Sequence, residues 1–366
     1  MKKQKSTLFC AVPDPRVVGR CDHKLSDVLF IAISTLICNG EDFEDMVLFA
    51  KERFKWLKTT LELPNGIPSH DTFNRVLQLI DPKELLKCLV EDGRRLLDIL
   101  NEKQICFDGK KLKGVSPKSK GNNGLYILSA YVSENNLCVG QVKVEDKSNE
   151  ITAIPKLLET IDVTEATVSI DAIGCQKGIA DTIVEKGGEY LLSLKKNQKQ
   201  TFEHVEDMFK LDRGLSSSEE WEYDHGRYET RKCTIIQPEK PENDEIFSQW
   251  KELNTLVRIE SCREIKGDVN SETRYYLSSC NNNNPKYYNA LVRGHWAIEN
   301  NLHWHLDVTF NEDASRARKG NAPENLNILR KFALQRIEQM SGRLSLKKRR
   351  YKASLTNEYL KEVLSF

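Results

Sequence analysis

The sequence predicts an α/β fold in which a mixed β-sheet carries a β-rich insertion and is preceded by a small helical domain. Two observations predict it. Up to about residue 97 the apolar residues recur at helical spacing, whereas from residue 104 they form short runs of strand length bounded by Gly and Asn. The elements after residue 104 then come in the order three strands, helix, strand, helix, strand, which is the order of a ribonuclease-H-like fold.

In the helical stretch, Leu25 to Asn39 is an apolar helix stopped at Gly40, and Phe43 to Leu57 has aromatic and aliphatic residues at helical spacing. Ser69 to Leu79 and Pro82 to Leu97 follow as helices. Ser69-His70-Asp71 has the composition of a catalytic triad, but sequence neighbours cannot take that geometry. After Gly66-Ile67-Pro68, Ser69 reads as a helix N-cap and Asp71 favours the first turn.

Ile105 to Lys110, Gly124 to Ser133 and Leu137 to Val144 read as consecutive strands. Ile151 to Ile161 is a helix, Ala166 to Asp171 a strand, Gln176 to Lys186 a helix and Tyr190 to Lys195 a strand. In a mixed sheet of this order the first and fourth strands lie side by side, which brings Asp108 and Asp171 together. Between Thr201 and Cys280 a helix precedes strand-like segments around Tyr228 to Ile236, Leu256 to Glu264 and Thr273 to Ser279. This is the β-rich insertion, about 201–284, and it separates Asp171 from Glu299. A loop, Asn281 to Pro285, leads into a long helix carrying Tyr288 to His305, then Phe310 to Arg318, a helix from Glu324 to Met340 and a basic tail. The expected domains are therefore 1–97, 104–345 and a tail over 346–366.

A length of 366 residues suits two or three domains with ample core. Charged residues make up 30% but balance to a formal net charge of +1, which excludes a histone-like protein and leaves room for local basic patches. Four such runs occur: Lys110-Lys111-Leu112-Lys113, Lys195-Lys196-Asn197-Gln198-Lys199, Arg316-Ala317-Arg318-Lys319 and Lys347-Lys348-Arg349-Arg350. The first two follow expected site strands directly, where phosphate contact is favoured over a merely solvated face. The ten cysteines are scattered without a CxxC pair and read as reduced, buried residues. The apolar run after Met1-Lys2-Lys3 stops at Pro13, and the longest apolar segment, Val28 to Cys38, is about half a membrane span. A cytoplasmic protein without membrane attachment is expected.

Three lone acids carry the chemistry. Asp108 closes the apolar run Ile105-Cys106-Phe107, Asp171 closes Ala166 to Ile170, and Glu299 lies in the apolar and aromatic helical stripe Arg293 to Trp304. A bare charge in such surroundings is costly unless something binds it. Acids on strand, strand and helix suggest a divalent-metal site, because two Mg²⁺ ions about 3.5–4 Å apart can activate an attacking oxygen and stabilise a leaving one. Mg²⁺ takes oxygen ligands and keeps several waters, so two or three carboxylates suffice, and Mn²⁺ is expected to substitute. His295 and His303 flank Glu299 at four-residue steps, which places them to orient the carboxylate or touch a phosphate. With His305 they suggest zinc, but no cysteine is placed to complete such a site. Asp307 reads as support for the site, and Glu312 and Asp313 as an acidic turn. Trp296 and Trp304 read as core anchors rather than base-stacking platforms.

Several strings carry a family resemblance: Gly66 to Phe73, Phe107-Asp108-Gly109-Lys110, Ile170-Asp171-Ala172, His225 to Arg231, Arg274 to Ser279, His295 to Asn300 and Leu306 to Asp313. In this order, covering nearly the whole chain from about Asp14, they resemble the H-repeat-associated, Rhs-linked group of bacterial insertion-sequence transposases. The resemblance implies a DDE transposase whose two aspartates are Asp108 and Asp171 and whose terminal glutamate is Glu299. It departs from the Tyr, Arg, Glu and Lys signature common in that superfamily, since Val292, His295 and Leu306 stand where Tyr, Arg and Lys are usual.

The function expected is a Mg²⁺-dependent transposase that cuts the ends of its own element and joins the 3′ hydroxyl to target DNA. It would work on double-stranded DNA as a homodimer, with Lys110, Lys195, Lys196 and Arg227 as phosphate contacts and His295 and His303 beside the DNA backbone. The rivals are a structure-selective nuclease on the same fold and a non-mobile DNA-binding remnant.

Overall fold

A computed structural model describes residues 8–17, 19–94, 103–115, 124–145, 149–211, 215–224, 227–265 and 267–365. Five helices come first: α1 (Leu25–Ile37), α2 (Phe43–Glu52), α3 (Phe54–Thr60), α4 (His70–Leu79) and α5 (Pro82–Arg94). Ser69 caps α4, its hydroxyl accepting from the Thr72 amide at 3.3 Å. The single helix expected from Phe43 to Leu57 is broken at Arg53, whose backbone leaves the helical region and whose guanidinium donates to the Ser354 carbonyl. A tertiary contact, not a local breaker, interrupts it. The expected end of the fifth helix, to Leu97, lies outside the described residues.

The sheet then begins with β1 (Gln104–Leu112), β2 (Leu125–Val132) and β3 (Leu137–Val144). It continues through α6 (Glu150–Leu158), β4 (Thr167–Ile170), α7 (Lys177–Glu185), β5 (Glu189–Leu194) and α8 (Lys199–Leu211). Four further strands follow, β6 (Ser216–Asp224), β7 (Arg227–Ile236), β8 (Thr255–Ile265) and β9 (Asp268–Ser278). All nine belong to one mixed sheet in the order β3-β2-β1-β4-β5-β9-β8-β7-β6. β1 and β4 are parallel neighbours, as the element order requires, with Phe107 opposite Ile170 as the last pair. The strands of the expected insertion extend this sheet: β9 pairs antiparallel with β5, Leu191 opposite Ser278.

Alternation along β1 sends side chains to two different cores. Ile105 and Phe107 pack with α6 and α7, while Cys106 joins the core shared by the first five helices and the helices after the sheet. Tyr288, Leu291 and Val292 of α9 (Pro285–Ala297) pack instead against β5, β7, β8 and β9, whereas the later helices that share this core are α10 (Ala322–Glu338), α11 (Leu346–Leu355) and α12 (Asn357–Leu364). The stretch 346–366, read from its charges as a basic tail, thus contains two packed helices. Arg350 is buried and donates to the Leu36 carbonyl, and Leu360 and Val363 are fully enclosed. A cation among polar neighbours reads as solvated unless its carbonyl partners are known.

Candidate functional site

Asp108 and Asp171 each follow the last residues by which β1 and β4 pair with each other, Asp171 just beyond β4 and Asp108 within β1, where it still pairs with Ser129 of β2. Asp171 is fixed by backbone: its Oδ1 accepts from the amides of Ile173 at 3.1 Å and Gly174 at 3.4 Å as it caps a 3-10 turn over Ala172–Gly174. Glu299 comes from the far end of α9, where the helix widens into two π-helical segments, Ile298–His303 and His305–Thr309. Such segments are rare and frequent at functional sites.

Electrostatics tie the three acids together. Burial pushes the Asp171 carboxyl above its ordinary value, and the charge of Asp108 pushes it further. Glu299 is exposed rather than enclosed by the apolar stripe, yet partial desolvation still raises it, followed by the charge of Asp108, with His303 and Arg274 acting in the opposite direction. Asp171 and Glu299 therefore both lie in the field of Asp108, a crowding that a cation would relieve.

Both histidines reach the strands below. His303 Nδ1 is 3.2 Å from Asp108 Oδ2, and its Nε2 is buried with no hydrogen-bond partner among the described residues. His295 Nδ1 is 2.9 Å from the Ser169 hydroxyl, which also accepts from Gln104 Nε2 at 2.8 Å. The same Gln104 nitrogen donates to the Leu291 carbonyl at 2.8 Å, which fastens α9 to β1 and β4. Burial pulls the His295 imidazole below its ordinary value, with Asp108 and Asp171 acting against it. Among the described residues, no group of three or more His, Cys, Asp or Glu side chains is closed tightly enough to hold a metal ion as it stands.

The other expected residues divide. Lys195 and Lys196 are exposed beyond β5, and their turn is tied to the Asp171 loop because Asn197 Nδ2 donates to the Ala172 carbonyl at 2.7 Å. Arg227 lines a groove between α9 and the β7–β9 strands, together with Arg231, Arg263, Arg274 and Arg293, and it lies 3.3 Å from Glu229. Its neighbours His225 and Gly226 lie outside the described residues.

Lys110 is a correction. It was expected at a phosphate, yet it is buried beneath the sheet with Asp307, with Glu312 at 3.3 Å and with Asp313 at 3.8 Å. Asp307 and the supposed acidic turn are thus partners of this lysine. Alternation along β1 turns Lys110 inward on the side where these carboxylates wait. Neither tryptophan is a core anchor: Trp304 is 51% exposed, and Trp296 lies half-buried in the arginine groove with the Arg274 guanidinium 4.8 Å from its ring centre.

Sequence reasoning missed one acid and its partner. Glu150, the first residue of α6, has a buried carboxyl that accepts a hydrogen bond from Tyr126. Burial raises it first of all, and Asp171 and Asp108 add to the effect, so it belongs to the same electrostatic neighbourhood. A glutamate in the first turn of a helix is so common that it carries no signal of its own.

Residues 100–335 match the family described as transposase DDE domain, and residues 6–91 match the family described as DDE_Tnp_1-associated. The chain is 38% identical to the "Putative transposase YncI" of Escherichia coli O157:H7, a match covering 97% of this chain and 92% of that one. It is 35% identical to the "H repeat-associated putative transposase YhhI" of Escherichia coli K12, over 97% of this chain and 96% of that one. A shorter relative, the "Inactive transposase YbfQ" of Escherichia coli K12, is 40% identical over 18% of this chain and 77% of its own length.

Proposed function

Because the chain belongs to the DDE transposase family, we propose that it cuts DNA at the ends of its own element and joins the freed 3′ hydroxyl to target DNA, using divalent-metal chemistry on a ribonuclease-H-like core. The observation that carries this reading is the placement of Asp108 and Asp171 side by side where the β1–β4 pairing stops, with Glu299 also in the field of Asp108.

The donor set fits a hard cation. All three are carboxylates, and beyond the burial that chiefly raises Asp171 and Glu299, the repulsion from Asp108 is what a divalent ion would remove. Asp108, Asp171 and Glu299 would hold it, with Mg²⁺ as the natural ion and Mn²⁺ as a substitute. When bound, a metal pair supplies activation of the attacking oxygen and stabilisation of the leaving one. The chain's own residues supply position. The amides of Ile173 and Gly174 hold Asp171, His303 holds Asp108, and the Gln104–Ser169–His295 chain keeps α9 against the sheet. Lys195, Lys196 and the groove arginines, Arg227 among them, offer cations to the DNA backbone on the same side as the acids.

The substrate is double-stranded DNA, and a homodimer would bring two element ends together. No described helix is long and apolar enough to cross a membrane, and we place the protein in the cytoplasm, on the nucleoid when bound to DNA. The test uses DNA carrying the inverted repeats that flank the gene. Transposition predicts nicks at the repeat ends followed by joint molecules with target DNA. Cutting of branched DNA without joining would favour the structure-selective nuclease, and binding without cutting the non-mobile remnant.

His303 offers a second check. Removing the imidazole from Asp108 in His303→Ala is expected to slow cleavage by about 10- to 100-fold, the usual cost of losing a group that orients a metal ligand. Unchanged cleavage would show that Asp108 needs no such support. Stoichiometric zinc in the wild-type protein, lost in the variant, would instead promote a zinc site.

A further inference from the structure

We propose that Glu150 is a fourth carboxylate facing the cation site, held in place by the Tyr126 hydroxyl and approaching from the face of the sheet opposite Glu299. The inference rests on the reading of Asp108, Asp171 and Glu299 as the residues that hold the metal.

The position of Glu150 is unusual for its place in a helix. Asn149 caps α6, accepting from the Thr152 amide at 3.3 Å, and a glutamate following such a cap ordinarily turns to solvent beside the helix N-terminus. Here the residue is only 8% exposed. Its carboxyl accepts from Tyr126, whose hydroxyl also lies 3.2 Å from the Gly109 carbonyl. The acid is therefore pressed against the backbone of the residue after Asp108.

Gly109 makes that approach possible. A Cβ at this position would stand 2.3 Å from Tyr126 Cε1 and 2.6 Å from Glu150 Oε1, closer than real Cβ contacts come. The absence of a side chain is what lets phenol and carboxyl reach the β1 backbone beside Asp108.

The direction of approach completes the geometry. Phe107, Tyr126 and the apolar face of α6 share the core on one side of the sheet, whereas Cys106 and the π-helical Leu302 share the core on the other. Asp108, within β1 where its pairing with β4 stops, and Asp171, just past β4, thus have Glu150 on one side of the sheet and Glu299 on the other. Among the described residues Glu150 forms no ion pair within 4.0 Å, although the charges of Asp171 and Asp108 act on it. A buried acid beside two more acids, with a phenol as its hydrogen-bond partner, is well suited to sharing their cation.

Mn²⁺ binding to the full-length protein, followed by electron paramagnetic resonance without DNA, tests this independently of activity. Wild type is expected to bind Mn²⁺, and Asp108→Asn to lose it. Glu150→Gln should weaken binding by about 10- to 100-fold, with Tyr126→Phe shifting affinity the same way by less. Circular dichroism without metal checks the fold, and if Glu150→Gln does not fold, Tyr126→Phe carries the comparison because it keeps the carboxylate. Wild-type affinity in folded Glu150→Gln, or in Tyr126→Phe when that variant carries the comparison, alongside loss in Asp108→Asn overturns the role of Glu150 alone. A wild-type protein that binds no Mn²⁺ overturns the metal reading and this inference together.

Discussion

Asp108→Asn, Asp171→Asn and Glu299→Gln should each reduce DNA cleavage to background while the protein remains folded. The loss should exceed the roughly 10²- to 10³-fold that follows removal of a single electrostatic contact, because on the proposed reading each change removes a charge that would hold the cation and not a bystander's hydrogen bond. Shape is nearly conserved, and an asparagine at 171 keeps a side-chain oxygen for the amides of Ile173 and Gly174. Stability should not fall with activity. Asp108 raises both Asp171 and Glu299, so neutralising it removes a repulsion from the metal-free protein. Nicking assays in Mg²⁺ or Mn²⁺ beside thermal melts separate the two effects. Any variant with near-wild-type cleavage removes its residue from the site.

Lys110→Met should behave in the opposite way, costing stability and sparing recognition. Lys110 is buried, and its ammonium is shared by Asp307, Glu312 and Asp313, with Glu312 itself only 2% exposed. Breaking a buried pair by removing one partner leaves an uncompensated charge inside, at a cost of about 3–5 kcal/mol. The lower end applies here, since Arg330 remains 3.5 Å from Glu312 and Asn327 donates to it at 3.0 Å. Urea unfolding should show the loss, whereas DNA affinity of the folded protein should be unchanged. Weaker DNA binding with unaltered stability would restore Lys110 to the phosphate contacts.

What the sequence revealed and what it hid follow from the range of each interaction. Strand order was legible because apolar periods and turn residues are local, and in a mixed sheet of that order β1 and β4 are neighbours, with Asp108 and Asp171 next to each other where their pairing stops. β6 was missed because Ser216-Ser217-Ser218-Glu219-Glu220 has no apolar alternation and lies at the sheet edge, where pairing on one side suffices. The π-helical widening around Glu299 was also hidden, because 3.6-residue spacing counts side chains and cannot register a change in the backbone bonds beneath them. Lys110 and Arg350 were misjudged for a shared reason: a run of basic residues looks solvated unless the carboxylates and carbonyls that face it, some two to three hundred residues away, are known. Glu150 was hidden by the ordinariness of an acid at a helix start.

The helices at the two ends of the described chain share one core, and this sets an order of events during synthesis. Cys38 donates to the Ala353 carbonyl at 3.3 Å, Arg350 Nη2 to the Leu36 carbonyl at 2.7 Å, and Arg336 Nε to Asp92 at 2.9 Å. A ribosome adding about 5–20 residues per second delivers α1 to α5 long before α11 and α12 exist. During that interval Leu29, Ile33 and Leu36 lack part of the apolar surface that later encloses them, and a nascent-chain chaperone is their natural cover. A reading-frame break upstream of Leu346 makes the interval permanent. The truncated product is expected to lose stability because its first helices lack their partners, even where every codon for Asp108, Asp171 and Glu299 survives.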